Sequence, residues 1–556
     1  MRAITSPLKE LKEFDEINEY LNKPFACAEV TGCVDSQKLH FIDGLGAEFK
    51  YRIIVTYSDL RAKEIYEDYK FYDKNVTVYP AKDLIFYQAD VHSNEVVRQR
   101  IRCMRRLLEG RPVTVVTTFA ALMSPQIKPE VIKESILSID KHRPIDEREI
   151  AKKLVAMGYV RNYQVEGPGE FSVRGDIVDV FDLTEDNPYR IELWGDEIQS
   201  IRSFDILSQR SLEKLESIEI YPASEIILDD ERLEKGMQRI EEETDTAYEA
   251  LRKEFKTKEA HQLKKLTEEL REQLFELHSM VNLESYIRYF YDDTVTMQEM
   301  FPKGKSCIFI DEPQRVFEHA SAVELEFKES MTHRAEKGYV LPGQMDILYS
   351  VDNCIARMEN GRRVLISALA MPKSQNAFNP EKSWDIRARS VAPYNNSFDS
   401  LVSDLKNYSK NGYRVLILSG SRTRAKRIVE DLRDNLVTSF YSEDPGRVLR
   451  PGEIMTYYGR ILKGFEYPDI KFAVIAESDI FTEHVKKRKK KKSKYTGEKI
   501  SDFADLKIGD YVVHEEHGLG IYRGIEKVET DHVSVITLKL NTAAEEISIF
   551  SRPAWA

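Results

Sequence analysis

The sequence predicts a multidomain α/β protein, on three observations. Its 556 residues exceed what one hydrophobic core usually serves. Its first stretch alternates β-rich runs with helical ones, the order of a parallel sheet with helical crossovers. From about Leu154 the texture changes to short strands punctuated by glycine, which fits an inserted α+β module.

Taken in order, Tyr51–Thr56 reads as a strand followed by a helix from Ser58. Val76–Tyr79 is the next strand, Arg98 to Leu108 a helix, and Val113–Thr117 a strand. Gly167-Pro-Gly169, Gly175-Asp176 and Gly195-Asp196 supply turns inside the inserted module, which is placed at 135–222. A long charged helix follows, with Leu263, Leu266, Leu270, Leu274 and Leu277 at the three-and-four spacing that makes one apolar stripe. Cys307–Pro313 is a buried strand ending in two acids, and Tyr413–Leu418 with the helical Arg422 to Leu432 opens another α/β unit. The echo of Arg61-Ala-Lys-Glu-Ile65 in Arg424-Ala-Lys-Arg-Ile428 is too short to establish a repeat. Lys486–Lys492, continued by Ser493-Lys494, packs in no core and reads as a linker before a short β-rich end piece.

Composition narrows the function classes. With 42% hydrophobic and 32% charged residues, the chain builds globular cores rather than a disordered or membrane fold. No apolar run approaches the roughly 20 residues of a bilayer span, and the start lacks the order of a signal peptide, so a cytoplasmic protein without membrane contact is expected. The five cysteines are odd in number, scattered and never paired as Cys-x-x-Cys, which argues against a disulfide framework and a zinc site. A net charge of -12 favours protein partners over bare nucleic acid.

Several motifs suggest chemistry and fail in detail. Gly32-Cys-Val-Asp-Ser-Gln-Lys-Leu39 has the outline of a phosphate loop, with Gly32 and Lys38 where that motif puts its first glycine and its lysine. A working loop needs glycine before the lysine, to wrap a phosphate with backbone amides, and Ser or Thr after it for magnesium. Here Gln37 and Leu39 stand instead. Asp311-Glu312 resembles the metal-holding acids of an ATPase, or a satisfied turn. Gly32, Lys38, Asp311 and Glu312 are therefore read as a degenerate, inactive nucleotide site. Gly304-Lys-Ser306 precedes a strand rather than following one, so it reads as a turn. His514 and His517 lie at i and i+3 outside a helix, which is not the spacing of a zinc protease.

Two segments carry a resemblance. Gly169–Phe181, then Tyr189–Ile198, then Phe204-Asp and Ser208-Gln-Arg210 resemble the UvrA-binding module shared by UvrB and the transcription-repair coupling factors, the Mfd family. Gly509–Ile525 resembles the CarD-type polymerase-interacting domain, and the two modules in this order point to the coupling factors. Tyr79-Pro-Ala-Lys-Asp and Gln99-Arg-Ile101 match the family's first lobe. Tyr87-Gln-Ala-Asp90 leads almost directly into a helix, where UvrB would carry its DNA-gripping aromatic hairpin.

The resemblance implies a UvrB-like, degenerate helicase-type lobe in two parts, 1–134 and 223–345, around a UvrA-binding insertion at 135–222. A small α/β domain at 346–480, a basic linker at 481–500 and a CarD/Tudor-like β domain at 501–556 complete it. It implies UvrA contacts at Arg174, Arg190 and Trp194. Strand alternation sends Ile191 and Leu193 inward and Arg190 with Trp194 outward, although Trp194 also reads as a core aromatic. It implies that Ile525, Glu526, Lys527 and Val528 form a β edge that pairs with the RNA polymerase β subunit.

The end departs from the family pattern. One codon choice for Val535–Thr542 reads Asp-Tyr-Ile-Lys-Ile-Glu-Tyr in a shifted frame, and its continuation gives a glycine turn and a returning strand, as the family implies. The expectation is a β domain truncated or frameshifted after about residue 534; an ordinary divergent tail stays open. On this reading the chain is a non-catalytic adaptor without cofactor. The resemblance implies that ATP, magnesium and most DNA contact belong to a translocase motor missing from this sequence. The alternatives are an ATP-dependent UvrB-like helicase or excision-nuclease subunit acting through Lys38 and Asp311, and a stand-alone CarD-like regulator.

Overall fold

The computed structural model describes residues 2–82, 94–275, 283–372, 376–481, 511–514, 518–530, 533–542 and 546–550. Tyr87–Asp90, Leu277, His517 and the basic run 486–494 lie outside the described residues. The chain divides into two units, 1–482 and 483–556.

The first unit is built on a seven-stranded sheet in which every described pairing is parallel. Its order is Lys382–Asp385, Cys27–Thr31, Arg362–Ile366, Ser306–Asp311, Tyr51–Thr56, Val113–Thr118 and Val76–Tyr79. Helices cover both faces, so the inner strands read as unbroken apolar runs, as Ser306–Asp311 does. The 346–480 boundary expected for the small domain is corrected here. Arg362–Ile366 slots between Cys27–Thr31 and Ser306–Asp311, and Lys382–Asp385 adds an edge, so the first sheet continues to Asp385. A buried parallel strand carries no sequence mark of the sheet it joins.

The second sheet of this unit follows in the order Arg389–Ser390, Phe465–Tyr467, Phe472–Ala476, Arg414–Ser419, Ile454–Tyr458 and Phe440–Tyr441. The two α/β lobes share one apolar cluster, in which Phe41 and Ile42 join Leu416, Met455, Phe465 and Tyr467. The echo noticed in the sequence has a structural counterpart. Ser58 caps the helix Asp59–Tyr69 by accepting from the Arg61 amide, and Ser421 caps Arg422–Asp434 by accepting from the Arg424 amide. Each arginine then reaches an acid at or just past the end of a neighbouring strand, Arg61 to Asp311 and Arg424 to Glu477.

The inserted module leaves and returns through the antiparallel pair Leu137–Asp140 and Ser217–Ile220. Its six-stranded sheet runs Ser211–Leu215, Glu197–Phe204, Tyr189–Trp194, Ile177–Val180, Glu170–Arg174 and Val160–Arg161. One face packs Ile150 and Leu154 of the helix Glu147–Ala156 against Phe171, Val178, Ile191 and Ile201. A seam of charge ties the module to the first lobe. From the helix Asn94–Leu108, Arg98 and Arg102 reach Asp186 at 3.1 and 3.2 Å, and Arg105 reaches Glu185 at 2.5 Å.

The leucine stripe belongs to the second arm of a helical hairpin, Asp230–Lys253 and Thr257–Phe275, with Leu263, Leu270 and Leu274 buried. All five cysteines are buried and unpaired, and burial pushes the Cys27 thiol up to about 11. No helix among the described residues is long and apolar enough to cross a membrane. The second unit is a meander of Tyr511–His514, Gly518–Thr530, Val533–Thr542 and Glu546–Phe550, each antiparallel to the next. In the sequence as it stands, residues on both sides of Ser534 form one strand.

Candidate functional site

The outer face of the inserted module is built by alternation. In Tyr189–Trp194, Ile191 and Leu193 enter the core, which turns Arg190, Glu192 and Trp194 the other way. Trp194 is 74% exposed beside the turn at Gly195, so it is a surface aromatic and contributes nothing to the core. Arg190 shares that face but is not left to solvent. Its Nε donates to Asp179 Oδ1 at 2.6 Å, and its Nη2 donates to Asp179 Oδ2 at 2.7 Å and to Gln209 Oε1 at 2.9 Å.

Beneath it, the guanidinium lies 4.4 Å from the centre of the Phe204 ring, a cation–π contact that buries the ring. The hydrogen bonds to Asp179, more than the opposing pull of burial, hold Arg190 above its ordinary pKa. A guanidinium has five N–H donors. Three are used here, and the Nη1 edge has no bond to the described protein.

Asp179, 1% exposed, serves both implied arginines at once, since Arg174 Nη2 donates to its Oδ2 at 2.9 Å. Asp179 sits in Ile177–Val180 directly opposite Arg190 in the register, so the pairing is set by the sheet itself. The sequence assigned no role to Asp179, Phe204 or Gln209, although all three stand in the segments that carry the resemblance. The available signal was Asp179 itself, a charged residue on an otherwise apolar strand.

The phosphate-type loop has a different fate. Gly32 takes φ +72, and a Cβ there would come within 2.2 Å of the Ile386 carbonyl oxygen. The helix already begins at Asp35, so the places where amides would wrap a phosphate are taken into its first turn. That turn is covered by the second lobe. The Lys463 amide donates to Ser36 Oγ at 3.1 Å, Gln37 Nε2 donates to the Tyr467 hydroxyl at 3.0 Å, and Ser390 Oγ donates to Asp35 at 2.9 Å.

Lys38 is buried and spends its ammonium internally, 2.8 Å from Asp311 Oδ1 and 2.5 Å from Glu312 Oε1. Burial pulls the Lys38 pKa down, but the two carboxylates outweigh it and leave it raised. Asp311 is lowered in turn, because Lys38 and Arg61 outweigh its desolvation, and Thr56 Oγ1 donates to it at 3.1 Å. The structure thus brings Lys38, Asp311 and Glu312 together in a closed ion-pair network, while Gly32 packs against Asp385 and Ile386.

With this geometry in hand, the comparisons are specific. The family described as the UvrB interaction domain matches residues 137–226, and the CarD-like/TRCF RID domain family matches 506–547. Over 537 residues, 96% of this chain, it is 30% identical to the transcription-repair-coupling factor of Bacillus subtilis (strain 168). The corresponding factor of Staphylococcus aureus (strain Mu50 / ATCC 700699) is 28% identical over 548 residues. The chain is homologous to the transcription-repair-coupling factors. It spans 45% of the length of these relatives.

Within this coupling-factor homologue, the Arg174, Arg190 and Trp194 face falls inside the UvrB interaction match, and the CarD-like match runs thirteen residues past Ser534. Ile525, Glu526, Lys527 and Val528 lie in Gly518–Thr530. They pair on one side with Leu538, Thr537, Ile536 and Val535, while Tyr511–His514 on the other side reaches only Gly518–Ile521. Among the described residues, the second side of 525–528 is an open β edge. His514 closes the first hairpin, and Lys303–Lys305 is a short 3-10 turn before Ser306–Asp311. No group of three metal-ligating side chains occurs among the described residues.

Proposed function

We propose that this chain is the adaptor portion of a transcription-repair coupling factor, linking RNA polymerase to UvrA and nucleotide excision repair. UvrA docks on Arg174, Arg190 and Trp194, and the open edge at Ile525–Val528 extends a sheet of the RNA polymerase β subunit. The observation that carries the reading is the fixed Arg190, whose Nη1 edge has no bond to the described protein, on the same face as the 74% exposed Trp194. A pre-organised cation and a rigid aromatic are what a protein hot spot needs, because little side-chain freedom is left to lose on binding.

The helicase or excision-nuclease reading would need Lys38 and Asp311 free for a nucleotide. Each is instead bound to the other in a closed network, which supports an adaptor without ATP turnover of its own. The deciding experiment is calorimetry of purified UvrA with the full chain. Binding that is lost in Trp194→Ala and retained in Lys38→Ala supports the reading. No binding at micromolar concentration sinks it, and ATP hydrolysis lost in Lys38→Ala would favour the enzyme.

A further inference from the structure

The turn joining the two long helices, Asp230–Lys253 and Thr257–Phe275, holds a residue that its backbone disfavours. The first helix closes with the Lys256 amide donating to Leu251 O at 2.9 Å and the Phe255 amide to Arg252 O at 3.0 Å. This closure needs a left-handed residue just past the helix, a place usually filled by glycine because a side chain crowds the backbone there. Phe255 occupies it at φ +62. Its ring gains nothing in return, being 93% exposed. Neither local conformation nor packing accounts for a phenylalanine at this position.

The surroundings are charged, with the bases Arg252, Lys253, Lys256, Lys258 and Lys337 standing among the acids Glu249, Glu254, Glu259 and Glu336. Arg252, Lys253, Lys258 and Lys337 are exposed around it. Arg252 and Lys256 are shared with Glu249 at 3.9 Å and Glu254 at 2.8 Å. Lys253, Lys258 and Lys337 form no ion pair among the described residues, and the nearby acids Glu259 and Glu336 leave them so. The turn at Lys337–Tyr339 is held close, since Gly338 takes φ +71 and a Cβ there would lie 2.2 Å from Glu259 O. That packing brings a second surface aromatic, Tyr339 at 50% exposure, to the same end of the hairpin. Three lysines without an ion pair among the described residues, Lys253, Lys258 and Lys337, thus stand near an exposed ring.

We propose that this hairpin tip binds single-stranded nucleic acid, with Phe255 stacked on an unpaired base and Lys253 and Lys258 on the flanking phosphates. The chemistry favours this partner. An aromatic face stacks on any unstacked base, and lysines track the phosphates, whereas duplex bases are closed to a ring presented from outside. An acidic protein surface would also engage the lysines, and the polyglutamate arm of the test separates it from a nucleic acid.

The test is fluorescence anisotropy of the full chain with a labelled oligothymidylate of about 15 nucleotides. Glycine suits the left-handed position, so Phe255→Gly is expected to keep or raise Tm while weakening binding roughly tenfold. Phe255→Leu, which keeps apolar bulk without a stacking face, should weaken binding similarly. Lys253→Gln with Lys258→Gln should lower affinity and flatten its salt dependence by about two phosphates. The lysine-rich run 486–494 is common to all variants, so their differences report the tip. Unchanged binding by Phe255→Gly, or equal loss of binding to duplex DNA, anionic vesicles or polyglutamate, would overturn the proposal.

Discussion

Asp179 and Arg190 face each other across adjacent strands and form a two-point pair, Nε to Oδ1 at 2.6 Å and Nη2 to Oδ2 at 2.7 Å. The geometry is that of a planar fork on a carboxylate, which lysine cannot reproduce. If the docking reading holds, Arg190→Lys and Asp179→Asn each raise the Kd for UvrA by roughly tenfold, the usual cost of one charge-assisted contact. Calorimetry on both single variants and the double variant checks this. The two losses should not add, because each removes the same pre-organised donor edge. Additive losses would mean that Asp179 acts elsewhere.

Trp194 offers a cleaner separation of binding from folding. Because 74% of it is exposed, Trp194→Ala removes almost no buried area and should change stability by no more than about 0.5 kcal/mol. As a hot-spot aromatic it should lower UvrA affinity by about 2 kcal/mol, near thirtyfold. Urea unfolding beside calorimetry reads both quantities. A large stability loss would return the residue to the core.

Much of this was legible in the sequence, for identifiable reasons. The strands Tyr51–Thr56, Val113–Thr118 and Ser306–Asp311 are buried on both faces, so their apolar runs announced them. The face of Arg190 and Trp194 followed from period-two alternation alone. What remained hidden depended on contacts distant along the chain. Arg362–Ile366 joins a sheet begun more than three hundred residues earlier, and nothing local marks that choice. The cover that Lys463 and Tyr467 place over the helix at Asp35 spans about four hundred residues in the same way. Phe204 read only as a motif residue, whereas it is the floor beneath Arg190.

The closed network around Lys38 makes a stability prediction and an activity prediction with opposite expectations. Lys38→Met leaves Asp311 and Glu312 without their shared cation in a largely buried place and should destabilise the first unit by roughly 3 kcal/mol. Arg61 and Thr56 still serve Asp311, so the loss stops short of complete unfolding. Adding Glu312→Gln should recover part of it. Urea denaturation measures the stability, and phosphate release should stay at the same background in wild type and variant. A fall in phosphate release with unchanged stability would reinstate the loop as a working nucleotide site.

His40 gives the chain a pH dependence whose sign is fixed by its surroundings. It is buried between the lobes, with Nε2 2.8 Å from the Ile4 carbonyl oxygen and Nδ1 3.0 Å from the Tyr467 hydroxyl. The carbonyl accepts only, so Nε2 carries the proton and Nδ1 accepts from Tyr467, which itself accepts from Gln37. Desolvation, only partly opposed by the Ile4 bond, pulls the His40 pKa down from 6.5 to about 4. The unfolded chain therefore binds this proton first as pH falls. The stability that neutral His40 supports is complete above about pH 6.5 and drains away toward pH 4, by about 3 kcal/mol in all. Asp68 and Asp479, raised to about 6 by burial, act in the opposite direction over an overlapping range, so the whole-chain profile mixes the two signs. The comparison that isolates His40 is wild type against His40→Gln, whose amide still donates toward Ile4. Their stability difference from urea unfolding should move by about 2 kcal/mol against wild type between pH 7.5 and pH 5. A difference that stays constant would mean that His40 titrates alike in both states, and the hydrogen-bond chain from Gln37 to Ile4 would have to be redrawn.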